Sequence, residues 1–282
     1  MTGPSTNPRP LTPDPLVDTH VHLNHDDLYA DRASVMARAA ASGVGVFVVV
    51  GYDLASSERA VALAGEDERI FATVGVHPHD AANWGDAAAG RLRALLAAPR
   101  VVAVGEIGLD FYRDLSPREA QRAAFVAQLK IASEAGLPVV IHCRDAYSET
   151  LDILEGHDPL LPPILHCFQG TLADAERAWT RGWFLGIGGA LTFKNGDALR
   201  ATVRAAPPEC LLLETDAPYL SPAPLRGKYP NEPARLALVA ETLAAVRGVS
   251  VQEVAALTTA NARRAFPRLS AESGYSTSSS RT

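Results

Sequence analysis

The chain has 282 residues, which is long enough to bury a large hydrophobic core. Hydrophobic residues make up 47% of it and aromatic residues only 6%, so the core is expected to be aliphatic. The formal net charge of −6 argues against broad adhesion to nucleic acid or to anionic membrane, because both require a basic surface. It does not exclude a phosphate-bearing substrate, since divalent cations in a pocket would supply positive charge locally.

The cysteines and the hydropathy pattern bear on where the protein resides. Cys143, Cys167 and Cys210 are too few and too irregularly spaced for a disulfide framework, which favours a reducing, cytoplasmic location. The first residues lack the apolar segment of a signal peptide, and no run approaches the roughly 18 apolar residues that span a bilayer. We therefore expect no membrane partner.

Both ends of the chain have the composition of disordered segments. Residues 1–15 contain five prolines and few apolar residues, and residues 270–282 are rich in serine and threonine. Nothing between them resembles a domain boundary. The sequence predicts a leader over residues 1–15, one domain over residues 16–269, and a tail over residues 270–282.

Eight short apolar runs, rich in β-branched residues, alternate with helical segments through this domain. Such alternation indicates a parallel sheet covered by helices. Eight units in roughly 250 residues fit a closed (β/α)8 barrel better than an open doubly wound sheet. No G-x-G-x-x-G motif follows the first run, which removes the main argument for a dinucleotide-binding fold. The predicted strands are Leu16–Leu23, Val44–Gly51, Ile70–Val76, Val101–Leu109, Pro138–Cys143, Pro163–Phe168, Trp183–Gly188 and Leu211–Thr215.

Two helical segments carry boundary signals. The clearest helix spans Pro117–Ala135, with Ser116 as the expected N-cap and Glu119 three residues after it. The stretch Glu232–Phe266 is long enough for two helices, divided near Gly248–Ser250.

Residues of metal-binding type recur late in five of the predicted strands. His20 and His22 are two apart on the first strand, so their side chains share one face. An ionised carboxylate or an unsatisfied imidazole inside an apolar barrel is costly unless it is paired or bound to metal. Its recurrence at one depth on five strands therefore favours metal binding. The candidate ligands are His20, His22, Glu106, His142, His166 and Asp216.

Six protein ligands are too many for one catalytic metal, which must keep a position open for water. They suit two divalent cations that share one carboxylate, and their donor types fit Zn or Mn, or Mg with added waters. Two such cations would activate a water molecule and stabilise charge on the reacting oxygens. Glu106 and Asp216 are the candidate catalytic residues, and Asp216 is also a candidate general base.

Two of the cysteines directly follow candidate ligands. Because side chains alternate along a strand, Cys143 and Cys167 are expected to point outward between the strands and the helices. Their expected role is that of buried structural thiols.

Short motifs such as LVDTHVHLN (16–24), GEIGLDFY (105–112) and ETDAPYLSP (214–222) surround the candidate ligands. Together with others along the chain, they resemble the TatD family of metal-dependent deoxyribonucleases, within the amidohydrolase-like barrels. The resemblance implies a binuclear site in which His20, His22 and Asp216 hold one metal, His142 and His166 hold the other, and Glu106 bridges both. It also implies a 3′–5′ exonuclease that acts on DNA, on single strands or at ends. The motifs follow in order over almost the whole chain: LVDTHVHLN (16–24), VGVHPHD (74–80), GEIGLDFY (105–112), LPVVIHCRDA (137–146), LHCFQG (165–170), GALTFKN (189–195), ETDAPYLSP (214–222), RGKYPNEP (226–233) and TTANARRAF (258–266).

Substrate contacts are expected from residues outside the ligand set. His77 can donate to the substrate or orient a ligand, and the planar fork of Arg144 suits a phosphate. Asp18 is expected to brace a ligand, and Lys194 and Arg226 are further candidates for phosphate contact. No aromatic stacking platform is evident, which argues against tight duplex binding.

Two other functions stay open at this point. The same water activation suits amide, ester or lactone hydrolysis, because fold alone does not decide the substrate. The second alternative is a catalytically silent, metal-binding scaffold. For any of these we expect a monomer without an organic cofactor.

Overall fold

The computed structural model describes residues 15–272, with side chains up to Leu269. Eight strands form one parallel sheet whose spatial order follows the chain. All eight strands occur where the sequence predicts them, and several end earlier than expected. They are β1 (Leu16–Val21), β2 (Val44–Val50), β3 (Ile70–Val74), β4 (Val101–Asp110), β5 (Val139–Arg144), β6 (Ile164–Leu165), β7 (Phe184–Ile187) and β8 (Leu211–Leu213).

The sheet curls until β8 meets β1. The amide of Asp216 donates to the carbonyl oxygen of His20 at 2.9 Å, and the amide of His22 donates to that of Ala217 at 2.8 Å. The Thr19 hydroxyl adds a bond to the carbonyl oxygen of Leu213 at 2.9 Å. These bonds join the end of β1 to the chain beyond β8, so the predicted (β/α)8 barrel is confirmed.

Helices cover the outside of the barrel. The division of the last helical stretch into two is confirmed, since Gly248 ends α9 in the left-handed region and Ser250 caps α10. The helices are α1 (Asp26–Tyr29), α2 (Arg32–Ala41), α3 (Leu54–Glu66), α4 (Asp86–Leu95), α5 (Arg118–Ala135), α6 (Tyr147–His157), α7 (Leu172–Trp179), α8 (Asp197–Ala205), α9 (Leu236–Arg247), α10 (Val251–Ala265) and α11 (Pro267–Glu272). Short 3₁₀ turns span Pro78–Asn83, Gly189–Thr192, Pro208–Cys210 and Pro233–Arg235.

Three sequence expectations change at the ends of elements. Ser116 is not the N-cap of α5, because its hydroxyl donates to the carbonyl oxygen of His79 and accepts from the amide of Ala82. Pro117 takes the cap position instead. Helix α11 extends to Glu272, three residues into the range predicted as a tail. The rest of that range, and residues 1–14 of the predicted leader, lie outside the described residues.

The lower half of the barrel interior is a packed apolar core. Inward side chains such as Val48, Val140 and Leu212 form one buried cluster, which Phe266 closes from below. Outward side chains of the same strands join the larger core beneath the helices. Because this apolar cluster fills the lower end of the interior, the polar side chains of the interior among the described residues gather at the upper end, at the carboxyl ends of the strands.

Among the described residues, no helix is long and apolar enough to cross a membrane.

Candidate metal centre

The polar side chains stand directly above the apolar ones on the same inward faces. On β5, Val140 belongs to the lower cluster, and His142 lies two residues further on. Along β6 and beyond it, Ile164 is followed by His166 in the same way. Because strand side chains alternate, equal parity carries these two strands from the core to the site. On β1 an irregular register separates Val17 of the lower cluster from His20.

Glu106 lies at the centre of the cluster and presents one oxygen to each side. Its Oε2 lies 3.5 Å from Nε2 of His20, while its Oε1 lies 2.8 Å from Nδ1 of His142 and 3.2 Å from Nε2 of His166. Gly108, with φ of 139°, allows β4 to come close to β5 here, because a Cβ atom would meet the His142 carbonyl oxygen at 2.0 Å. The carboxylate is therefore placed between two groups of histidines.

Asp216 and the two histidines of β1 form the other side. Asp216 Oδ1 lies 3.4 Å from Nε2 of His22 and 3.8 Å from Nε2 of His20. The backbone bond between His20 and Asp216 across the seam fixes this proximity. His20, His22 and Asp216 can together hold a metal ion, as can His20, Glu106 and His166.

The hydrogen bonds of the histidines leave lone pairs aimed at carboxylates. Nδ1 of His22 lies 3.1 Å from the carbonyl oxygen of Val50, which can only accept, so its proton sits on Nδ1. Its Nε2 lone pair then faces the Asp216 carboxylate. Two acceptors in contact repel each other unless a cation or a proton lies between them.

His142 and His166 are each placed between two carboxylates. His142 meets Asp110 through Nε2 at 3.0 Å and Glu106 through Nδ1. His166 meets Glu214 through Nδ1 at 3.2 Å and Glu106 through Nε2. A neutral imidazole has one N–H, so each ring can donate to its outer carboxylate and offer a lone pair toward Glu106. Metal-ligating histidines in proteins have this arrangement.

His20 gives the most direct indication of a missing cation. It is fully buried, and neither of its ring nitrogens has a hydrogen-bond partner among the described residues. Burial and the neighbouring His166 lower the pKa of His20, which keeps the ring neutral and its lone pair available. A buried nitrogen without a partner is costly, and a metal ion would satisfy it. The cluster therefore suits divalent metal binding.

Electrostatics keep the central carboxylate ionised. Burial alone would raise the pKa of Glu106, but its contacts with His166 and His142 outweigh burial and hold the pKa well below its usual value. Burial alone would likewise raise the pKa of Asp216, but its contact with His22 and the proximity of His166 and His20 hold that pKa below its usual value. Both groups are thus available as anionic ligands.

Sequence reasoning missed two buried carboxylates that orient the histidines. Glu214 faces His166 and accepts from the amide of Cys167 at 2.5 Å. Gly186 leaves room for it, since a Cβ atom there would lie 2.2 Å from Glu214 Oε2. Asp110 contacts His142 and, through the same oxygen, His79 at 2.9 Å. The alternation of side chains along a strand could have identified both acids. Asp110 lies an even number of residues from Glu106, and Glu214 an even number from Asp216, so each is expected on the same face as a candidate ligand.

Asp18 braces the site as expected, although it reaches the neighbour of a ligand. Its carboxylate accepts from the amide of Thr215 at 2.9 Å and from the Thr215 hydroxyl at 2.5 Å. Burial raises the pKa of Asp18 to about 7. The contact holds the chain beyond β8 in place directly before Asp216.

His77 lies closer to the centre than the sequence indicated. Its Nδ1 accepts from the amide of His79 at 3.1 Å, so the proton of the neutral ring is on Nε2. Nε2 lies 3.6 Å from Glu106 Oε1, and His77, Glu106 and His142 form a third group that can hold a metal ion. The tautomer favours a donor at this position over a ligand. Burial and the nearby His142 hold the pKa of His77 well below its usual value, so the ring is neutral.

A cavity of about 1080 Å³ opens above the cluster at the carboxyl ends of the strands. Arg144 lies on its wall, with its guanidinium 3.8 Å from the centre of the Tyr112 ring. Tyr219 and Tyr229 also line it, and they are 44% and 58% exposed. The sequence showed no obvious aromatic platform, but these two rings, both on the loop between β8 and the Pro233–Arg235 turn, lie at one rim of the cavity.

The two cysteines next to ligands differ from each other. Cys143 points toward α6, as expected, and its thiol donates to the hydroxyl of Thr150 at 3.3 Å. Cys167 does not continue a strand, because β6 ends at Leu165 and Cys167 has φ of 45°; it lines the cavity and contacts Gln169. Burial raises the pKa of both thiols to about 12, so neither is an activated nucleophile.

Comparison with known proteins agrees with this geometry. The family model described as TatD related DNase matches residues 17–267. An uncharacterized metal-dependent hydrolase of Bacillus subtilis, YabD, is 39% identical over 253 residues, which cover 89% of this chain and 98% of YabD. The 3′-5′ ssDNA/RNA exonuclease TatD of Cronobacter sakazakii is 42% identical over 256 residues, with 89% and 97% covered. The crystal structure of the TatD homologue YJJV from Escherichia coli K12 matches with a TM-score of 0.86 at 32% identity, over 89% of this chain and 98% of that one.

Proposed function

Because the chain belongs to the family of TatD-related DNases, we propose that it is a 3′–5′ exonuclease that works on single-stranded DNA or on strand ends with two divalent cations. The family makes the protein a metal-dependent hydrolase of phosphodiester bonds. The observation that carries the rest is Glu106, whose two oxygens face separate histidine groups. The Cronobacter relative is named for ssDNA and RNA alike, so RNA is the second polymer to test.

The six ligands divide into two sets around Glu106. In our proposal His20, His22 and Asp216 hold one cation, His142 and His166 hold the other, and Glu106 bridges them. Mg, Mn and Zn all suit these donors. When bound, the cations lower the pKa of water and stabilise charge on the phosphate oxygens.

Protein groups around the cations have separate tasks. Asp216 is ionised and accepts the proton of the attacking water. His77 and Arg144 line the cavity, and in our proposal the Nε2–H of His77 and the guanidinium of Arg144 donate to the phosphate oxygens and fix their orientation. Glu214 and Asp110 hold the ligand rings in place from outside.

One chain supplies all six ligands, which supports the proposal of a monomer. The three cysteines are free thiols, in keeping with the reducing cytoplasm that the sequence favours.

The test is hydrolysis of end-labelled strands by protein loaded in turn with Mg, Mn and Zn. We expect 5′-labelled single-stranded DNA to shorten stepwise, while a 3′-label is released at once as a mononucleotide. Asp216→Asn protein, purified in the same way, controls for contaminating nuclease. Intact DNA and RNA with all three metals, together with turnover of an ester, amide or lactone panel, would refute the proposal in favour of a carbonyl hydrolase.

A further inference from the structure

A second, smaller cavity of about 260 Å³ lies beside the main one, between the loops that follow β7 and β8. Phe193 comes from the first loop, whereas Arg226 and Lys228 come from the second. Leu220 and Tyr229 line both cavities, so the two are continuous along the mouth of the barrel. The second cavity therefore lies on a possible path for a polymer that extends away from the candidate metal ligands.

The second cavity is basic although the whole chain is acidic. Arg226 and Lys228 are exposed, and among the described residues that line this cavity none carries a carboxylate. The Arg226 guanidinium lies 4.1 Å from the centre of the Phe193 ring, which fixes its position beside the opening. Lys194, the third candidate phosphate contact of this region, is exposed nearby but lines neither cavity.

The opposite side of the mouth has the reverse charge. Asp53 lies on the loop after β2, and Asp80, after β3, lines the main cavity. Burial and the charge of Asp53 raise the pKa of Asp80, because both disfavour its ionised form. The carboxylates of Asp53 and Asp80 repel a phosphate backbone that extends away from the cluster, and the basic residues on the loop after β8 attract it.

Aromatic rings connect the cluster with the second cavity. The centre of the Tyr219 ring is 6.1 Å from that of His22 and 6.4 Å from that of Tyr229. The hydroxyl of Tyr229 donates to Asp27, which holds the exposed ring in place. Exposed aromatic rings are the usual platforms for unpaired bases.

We propose that the second cavity binds the part of a single-stranded polynucleotide that lies 5′ of the scissile phosphate. Tyr219 and Tyr229 stack the unpaired bases, and Arg226 and Lys228 bind the backbone phosphate beyond them. This inference rests on the proposed nuclease function. It predicts that the loops after β7 and β8 determine how strongly activity depends on the length of the substrate. A short diester occupies only the metal cluster, whereas an oligonucleotide reaches both cavities.

The first experiment compares two substrates in one double variant. For Arg226→Ala/Lys228→Ala, we expect kcat/KM for a single-stranded oligothymidylate, divided by kcat/KM for bis-nitrophenyl phosphate, to fall roughly 10-fold. Arg91→Ala/Lys130→Ala, which removes the same charge from the outer helices, is the matched control and should keep the wild-type ratio. An unchanged ratio in the Arg226/Lys228 variant, with the wild type active on both substrates, overturns the inference and leaves the nuclease proposal intact.

The second experiment needs no turnover and therefore separates the two proposals. Fluorescence anisotropy of a labelled oligothymidylate in EDTA should show weaker binding by the double variant, with a log Kd against log salt slope reduced by about 0.7 for the lost phosphate contact. Equal slopes in wild type and variant contradict the subsite. A wild type that binds with the expected slope yet cleaves nothing contradicts the nuclease proposal alone.

Tyr229 offers a further check on stacking. Tyr229→Leu should weaken oligonucleotide binding, whereas Tyr229→Phe, which keeps the ring and loses only the bond to Asp27, should bind close to wild type. Equal weakening in both variants would assign Tyr229 to loop structure and remove it from the path.

Discussion

The lower and upper halves of the barrel interior are built on the same faces of the same strands, yet they do opposite things. Below, Val140, Ile164 and Leu212 bury apolar surface and stabilise the fold. Above them, His142, His166 and Asp216 crowd ionisable groups into a nearly dry space. On β5 and β6, two residues, roughly 7 Å, separate the two layers, whereas four residues separate Leu212 from Asp216.

This contrast locates the function. The side chains of the lower cluster are apolar, and close packing stabilises them. In the upper half both nitrogens of His20 lack partners, and several lone pairs face carboxylates. A cluster of this kind lowers stability unless cations occupy it. We infer that burial of the apolar layer stabilises the fold and offsets the destabilising effect of the buried polar groups above it.

The strongest test of the contrast removes the central carboxylate. Glu106→Ala should lose most of its metal, and its kcat/KM should fall at least about 1000-fold, because both proposed cations lose a shared ligand.

Asp216→Asn keeps an oxygen ligand and should retain part of its metal. Its kcat should nevertheless fall roughly 100- to 10,000-fold, because the general base is lost. Elemental analysis of protein purified without added metal, alongside kinetics, measures both. Equal metal loss in the two variants would argue against the general-base role of Asp216.

A substitution in the lower layer should act on stability alone. Leu212→Ala removes a fully buried side chain and should lower the free energy of unfolding by about 2–5 kcal/mol. Metal content per folded molecule should stay at the wild-type value. Urea unfolding followed by circular dichroism gives the first quantity and elemental analysis the second. Leu160→Ala, at a side chain that is 71% exposed, is the control and should change stability by less than about 0.5 kcal/mol.

The smallest effect is expected at the boundary between the layers. Glu214→Gln keeps the size of the side chain but removes the anion that faces His166 Nδ1, so metal affinity should fall about 10- to 100-fold. Competition with a chromogenic chelator measures this, with exposed Glu241→Gln as the control. Unchanged affinity would mean that His166 is held by packing rather than by Glu214.

Much of this site was readable from local pattern. Strand periodicity places His20 and His22 on one face, and the rule that parallel strands end together places Glu106, His142, His166 and Asp216 at one depth. The eight strands and the two-helix end of the chain were likewise predicted, since hydrophobic period and capping residues are local properties. The structure brings the six side chains together, as that pattern requires.

Other features depended on which loops become neighbours. Tyr219 reaches the main cavity, and Tyr229 reaches both cavities, only through the path of the loop after β8. The hydroxyl of Ser116 likewise bonds Ala82, 34 residues away, rather than its own helix. Glu214 and Asp110 acquire roles from histidines on other strands. The sequence by itself determined which face and which depth each polar residue occupies, because alternation along a strand is local. Only the tertiary structure decided which of them touch, because that depends on closure of the sheet and on the paths of its loops.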